Sequence, residues 1–248
     1  VHARSGGTQG LADRAHCRRR QPGRTAVVSP PAQPRLGVLI SGRGSNLQAF
    51  IDACASGALA AQISVVISNN PGAAGLQRAA RAGLSTRCID HRDYSTREEF
   101  DQALVHEIHT HAVDLVVLAG FMRILTPVFI EPFLGRLLNI HPSLLPKYPG
   151  LHTHQRALDN GDTEAGATVR FVTPQLDGGP PVLQARVPVL SGDTADTLAA
   201  RVVVQEHIIY PLAVRWHVQG RLALTENGAT LDGHPIPATG IRYTSDLR

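Results

Sequence analysis

Leu36-Gly37-Val38-Leu39-Ile40-Ser41-Gly42-Arg43-Gly44-Ser45-Asn46-Leu47 decides how this 248-residue chain is read. Its first five residues form an apolar run of strand length. A polar, glycine-rich stretch follows, and a helical pattern begins at Leu47. Strand, glycine turn and helix open an α/β unit. Ile63-Ser64-Val65-Val66-Ile67 repeats the apolar run, before the turn Ser68-Asn69-Asn70-Pro71-Gly72 and a helix over about 75–82. A short strand is expected near 86–89. Ser95-Thr96-Arg97-Glu98 reads as a capping box that starts a helix reaching about residue 110. Leu115-Val116-Val117-Leu118-Ala119 and Leu137-Leu138-Asn139-Ile140-His141 are the next strands. Two more are expected over 167–172 and 182–189, with antiparallel pairing open to them. A long helix is expected over about 194–216, then a hairpin around Asn227-Gly228. The expected fold class is α/β: an open, mostly parallel, twisted sheet of about seven strands, Rossmann-like, with helices on both faces and a small C-terminal hairpin.

Composition narrows the function classes. Apolar residues make up 43% of the chain, enough for one globular core. No run of 18 apolar residues occurs, so no membrane-spanning helix is expected. Cys17, Cys54 and Cys88 are scattered and odd in number, which favours a reducing compartment and a cytoplasmic location over a disulfide framework. The net charge of +4 is unevenly spread. Residues 1–35 hold seven arginines and one acid, so they carry +6 and leave −2 for the rest. We therefore divide the chain into a basic extension, 1–34, expected to be disordered, and one catalytic domain, 35–248. Arg18-Arg19-Arg20 lacks the apolar stretch that a twin-arginine signal needs. Gly6-Gly7, Gly10 and Pro22-Gly23 oppose a helical transit peptide. A nucleic-acid arm and a passive extension remain as readings of the tail; the body gives no reason to expect nucleic acid or a membrane.

Chemistry is expected where strands end. In open α/β sheets ligands lie beyond the carboxyl ends of the strands, at a topological switch point. The turn at 41–46 suits an anion: Gly42 and Gly44 let the backbone approach, and Ser45 and Asn46 are good caps at a helix start. A plain turn is the competing reading. The dinucleotide fingerprint is incomplete, with Leu47 at its third glycine and no acid after the second strand. Asn139 and His141 are two apart in a strand, so both face away from Leu138 and Ile140. With Asp177-Gly178-Gly179-Pro180 downstream they supply an amide, an imidazole and a carboxylate. That trio suits acyl transfer to an amine: amide and imidazole donate to a developing oxyanion, and the carboxylate raises the imidazole pKa. No serine, threonine or cysteine sits in a nucleophile elbow, which favours direct transfer. Two alternatives stand beside this: polar groups that satisfy buried backbone, and a metal site from His141, His152, His154 and Asp177. No metal is expected. His106, His109 and His111 read as solvated residues at a helix end.

The chain over about 36–235 resembles the phosphoribosylglycinamide formyltransferase family, the folate-dependent enzymes of purine synthesis. The resemblance is carried by Ile40-Ser41-Gly42-Arg43-Gly44-Ser45-Asn46-Leu47-Gln48-Ala49, by Leu118-Ala119-Gly120-Phe121-Met122-Arg123-Ile124-Leu125, and by 139–153. Asp177-Gly178-Gly179-Pro180 and Gln205-Glu206-His207-Ile208-Ile209-Tyr210-Pro211 complete it. It implies transfer of a formyl group from 10-formyltetrahydrofolate to the amine of glycinamide ribonucleotide, by a monomer or homodimer. It implies that the backbone at Gly44, Ser45 and Asn46 holds the substrate phosphate and that Glu206 meets the glycinamide part. Met122, Arg123, Ile124, Leu125 and Val172 would border the folate pocket, and Asn139, His141 and Asp177 would be catalytic.

This sequence departs from the family at Arg170, where histidine is usual, and at Val203 and Pro181. A fixed charge at Arg170 is expected to bear on the titration of His141. Relatives that formylate methionyl-tRNA carry a further C-terminal barrel, and about 30 residues follow Trp216 here. Formyltetrahydrofolate hydrolases carry an N-terminal regulatory domain, for which the extension is short and polar. A nucleic-acid-binding protein acting through its arginines is the rival from another class.

Overall fold

A computed structural model describes residues 33–175 and 178–247. The readings made of residues 1–32, and of Leu176, Asp177 and Arg248, fall outside the described residues.

The apolar runs become strands whose two faces feed two cores. β1 (Arg35–Ile40) leads through the glycine turn into α1 (Ser45–Ala55), then β2 (Gln62–Ser68), α2 (Ala74–Arg81) and β3 (Thr86–Cys88). α3 (Arg97–Thr110), β4 (Leu115–Leu118), the short α4 (Pro127–Ile130) and β5 (Leu137–His141) follow. After α5 (Thr153–Asp159) come β6 (Glu164–Phe171), β7 (Pro181–Pro188) and α6 (Ala195–Val218). The chain closes with β8 (Leu222–Thr225), β9 (Gly228–Leu231), β10 (His234–Pro235) and β11 (Ile241–Arg242). The main sheet runs β11-β7-β6-β5-β4-β1-β2-β3. Its β5-β4-β1-β2-β3 part is parallel, and β6 pairs antiparallel with both β5 and β7.

Alternation assigns each strand residue to a layer. Leu36, Val38, Ile40, Val117, Leu138 and Ile140 pack under α1 and α6 in one buried cluster. Leu39, Val116, Leu118 and Leu137 pack under α3 and α4 in the other. Helices therefore cover both faces, as expected, and β5 has the bounds read from sequence.

Three details differ. The α3 capping box lies one residue on: Thr96 accepts from the Glu99 N–H, and Glu99 answers to the Thr96 N–H. Residues 153–159, where no helix is expected from the sequence, form α5. The C-terminal hairpin gains a third strand, β10, and the two-residue β11 adds an eighth strand to the main sheet. No helix among the described residues is long and apolar enough to cross a membrane.

Candidate active site

The strand order places a switch point between β1 and β4. From β1 the chain moves outward to β2 and β3, then returns to β4 and β5 on the other side. The loops leaving β1 and β4 meet there at the carboxyl edge, the place where open α/β sheets bind ligands. Polar bonds hold its floor. Ser41 N–H donates to Gly120 O at 3.1 Å. The Ser41 hydroxyl accepts from Met122 N–H at 2.7 Å and donates to Asn69 Oδ1 at 2.5 Å. Three strand exits are thereby tied together.

The glycine turn forms a bare helix start. Gly44, at φ 71°, is the N-cap of α1, with no side-chain cap. This corrects the reading of Ser45 and Asn46 as caps. The first helical bond runs from Gln48 N–H to Gly44 O, so the N–H groups of Ser45, Asn46 and Leu47 have no intrahelical acceptor. No acid lies in that first turn. Such a terminus attracts an anion. The N-terminus of α2 braces it: Gly75 N–H donates to Gly42 O at 3.0 Å.

Asn46 turns its side chain instead to α6, where Nδ2 donates to Glu206 Oε2 at 2.7 Å. Both residues are buried, and Asn46 Oδ1 has no hydrogen-bond partner among the described residues. Burial pushes the Glu206 carboxyl above its ordinary range, and the Asn46 bond offsets part of that rise. One turn on, the buried Tyr210 hydroxyl lies 3.1 Å from Leu118 O and 2.9 Å from Leu138 O, joining α6 to the ends of β4 and β5.

Asn139 and His141 leave β5 on one face, as their spacing predicts. Asn139 is half-buried and flanked in register by Leu118 and Arg170; His141 is buried beside Thr168. His141 Nε2 lies 2.9 Å from Tyr148 O. His154 on α5 has its pKa lowered, first by burial and then by the nearby His141. Arg170 is buried on the same face, with Nη1 3.5 Å from Phe171 O.

The expected folate rim lies at the β4 exit. Met122 and Ile124 are 68% and 55% exposed, unusually bare for large apolar side chains, with Arg123 partly covered between them. Leu125 and Val172 are buried in one apolar cluster with Phe121. Asp177 lies outside the described residues; the residues on either side of the gap are held in place. Gly178 N–H donates to Gln175 O at 3.0 Å, and a Cβ at Gly179 would run into Phe171 O. Among the described residues no group of three or more metal-ligating side chains gathers; His152 sits exposed at the start of α5.

Sequence reasoning missed Thr168 and Gln184. Thr168 Oγ1 donates to Ser143 O at 2.7 Å and accepts from Leu145 N–H and Gln184 Nε2 at 3.1 and 3.0 Å. They pin the loop after His141. The one available signal was a polar residue between two apolar neighbours in a strand.

A Rossmann-like sheet with an uncapped helix start at its switch point, a buried carboxylate behind it and an amide–imidazole pair on β5 fits a group-transfer enzyme. The chain belongs to the formyl transferase family, whose profile matches residues 34–214. It is 56% identical over 209 residues to the phosphoribosylglycinamide formyltransferase of Escherichia coli K12, covering 84% of this chain and 98% of that one. It is 50% identical over 206 residues to the protein of that name from Haemophilus influenzae, covering 83% and 97%. The solved phosphoribosylglycinamide formyltransferase of Coxiella burnetii superposes with a TM-score of 0.81 at 45% identity, over 86% of this chain and all of that one.

Proposed function

We propose that this enzyme transfers the formyl group of 10-formyltetrahydrofolate to the primary amine of glycinamide ribonucleotide, a step of purine synthesis. The observation that carries the reading is the bare α1 N-terminus at the switch point with the buried Asn46–Glu206 pair behind it; Asn139 and His141 on one face of β5, the strand beside β4, support it.

Each part has a physical task. The N–H groups of Ser45 and Asn46, reached through the tight turn at Gly44, bind the ribonucleotide phosphate. Glu206 and the buried Asn46 Oδ1 are acceptors suited to the N–H groups of the glycinamide arm. Met122, Arg123, Ile124, Leu125 and Val172 border the folate. These contacts lie away from the reacting atoms and convert a bimolecular encounter into an effectively unimolecular one.

The amine nitrogen attacks the formyl carbon, a C–N bond forms, and negative charge gathers on the formyl oxygen. Asn139 and protonated His141 donate to that oxygen; such a donor is typically worth ~10²–10³ in rate. Asp177 favours the imidazolium by its charge and holds the water that carries a proton from the amine towards N10 of the folate. The bond from N10 to the formyl carbon then breaks, leaving tetrahydrofolate and the N-formylated amine. No covalent acyl-enzyme is needed.

The test mixes enzyme with 10-formyltetrahydrofolate and follows deformylation with and without glycinamide ribonucleotide. Turnover is expected only with the amine, with one formylated product per folate consumed. Equal turnover without it would identify a hydrolase, and none with it would reject the proposal.

A further inference from the structure

We infer that Tyr148 is a positioning residue for His141: its main-chain carbonyl, clamped by its own side chain, fixes the ring and makes Nδ1 the nitrogen that exchanges the proton. This rests on the reading that protonated His141 donates to the formyl oxygen.

The hydrogen-bond chemistry is one-sided. A carbonyl oxygen only accepts, so the 2.9 Å contact from His141 Nε2 to Tyr148 O requires the proton on Nε2. In the neutral ring the lone pair is then on Nδ1. Gain and loss of the second proton take place there, and turning the ring over would break the bond.

The carbonyl is aimed by an uncommon backbone. Tyr148 has φ 54°, a left-handed conformation that bulky side chains rarely adopt and that persists only where surroundings impose it. Here they do. The Tyr148 hydroxyl donates to Asp162 Oδ2 at 2.8 Å and accepts from Asn160 Nδ2 at 3.0 Å. Lys147 Nζ holds the same carboxylate at 2.9 and 3.0 Å. The Arg156 guanidinium lies 5.1 Å from the Tyr148 ring centre and donates to Pro149 O at 2.6 Å. On the other side Ser143 Oγ donates to Lys147 O at 2.6 Å, and Gln184 Nε2 to Leu145 O at 2.7 Å. The segment between His141 and α5 is thus tied to β6, β7 and the turn after α5 on both sides of one carbonyl.

The experiment is nitrogen NMR of histidine-labelled enzyme, with the His141 resonances assigned from a His141→Ala spectrum, beside steady-state kinetics. Above its titration, native His141 is expected as the Nε2–H tautomer. Tyr148→Phe keeps the carbonyl but cuts the hydroxyl from Asp162 and Asn160; Asp162→Asn weakens the same clamp. Each is expected to give mixed tautomers and a kcat lower by roughly tenfold, with both KM values within about twofold of native. A native Nδ1–H tautomer overturns the proposal in a measurement that needs no folded variant. Variants that keep the Nε2–H tautomer overturn it too, whether kcat holds or falls, because any damage then does not pass through the ring. The tautomer is read without substrate, so an enzyme that fails to transfer formyl groups would refute the functional reading and leave this test standing.

Discussion

Gly75→Ala should damage the site from outside it. Gly75 is the second residue of α2, and a Cβ built there meets Ile40 Cδ1 at 2.5 Å, Gly42 O at 3.1 Å and Gly44 Cα at 3.3 Å. Carbon atoms rest at about 3.5–4.0 Å, so the helix must withdraw by roughly 1 Å. Ile40 is wholly buried, and the other two contacts are backbone, so none gives way easily. Overpacking of this kind costs about 1–3 kcal/mol. Stretching the Gly75 N–H to Gly42 O bond adds about 1 kcal/mol. Alanine returns up to ~1 kcal/mol through helix propensity and a stiffer unfolded chain. A net loss of about 1–3 kcal/mol lowers Tm by roughly 3–10 °C in a domain of this size. The withdrawn helix no longer braces the turn at 42–44, so the Ser45 and Asn46 N–H groups lose their aim. Weakening one charge-assisted bond to phosphate raises KM for glycinamide ribonucleotide by about ten- to hundredfold, with a smaller change in kcat. Calorimetry and initial-rate kinetics on the purified variant measure both numbers. A variant with native Tm and native KM would refute the packing argument and the phosphate site together.

Other perturbations follow from the same contacts. Burial raises the Glu206 pKa, so its contribution to stability is full below the unfolded value of ~4.3 and is lost as pH rises through the folded pKa. Glu206→Gln should therefore gain Tm on the native enzyme from pH 4.5 to 7.5 while raising KM for the ribonucleotide; a difference in Tm that does not vary with pH would contradict this. His154, His207 and His217 all have pKa values lowered first by burial. The unfolded chain takes those protons first, so stability present above ~6.5 is lost as pH falls. Replacing the three by glutamine should flatten the drop in Tm between pH 7 and 5, and an unchanged drop would refute the assignment. Tyr210→Phe leaves Leu118 O and Leu138 O without the hydroxyl and should cost about 1–3 kcal/mol in denaturant unfolding, with the edge-on Phe50 contact kept.

What was legible in the sequence was whatever periodicity fixes. β5 was read residue for residue because Leu138 and Ile140 alternate with Asn139 and His141, and that alternation also put the polar pair on one face. The switch point followed from strands alternating with helices. Contacts between distant parts of the chain were not legible. The Asn46–Glu206 bond spans 160 residues, and nothing local in either segment announces it; resemblance alone pointed to Glu206. α5 was hidden because the proline- and glycine-rich stretch at 146–150 masks the helix that starts at Thr153. Ser45 and Asn46 were misread as caps because good capping residues were present, while the tight turn gave that place to Gly44. β11 has two residues and exists only through its pairing with Leu183 and Gln184.

The central claim is that Asn139 and His141 stabilise the oxyanion formed as the formyl carbon is attacked. Single-turnover transfer, with enzyme in excess over 10-formyltetrahydrofolate and glycinamide ribonucleotide saturating, isolates that step. Asn139→Ala and His141→Ala should each slow it by ~10²–10³ while both substrates bind with near-native affinity. Transfer at the native single-turnover rate in either variant would contradict the account.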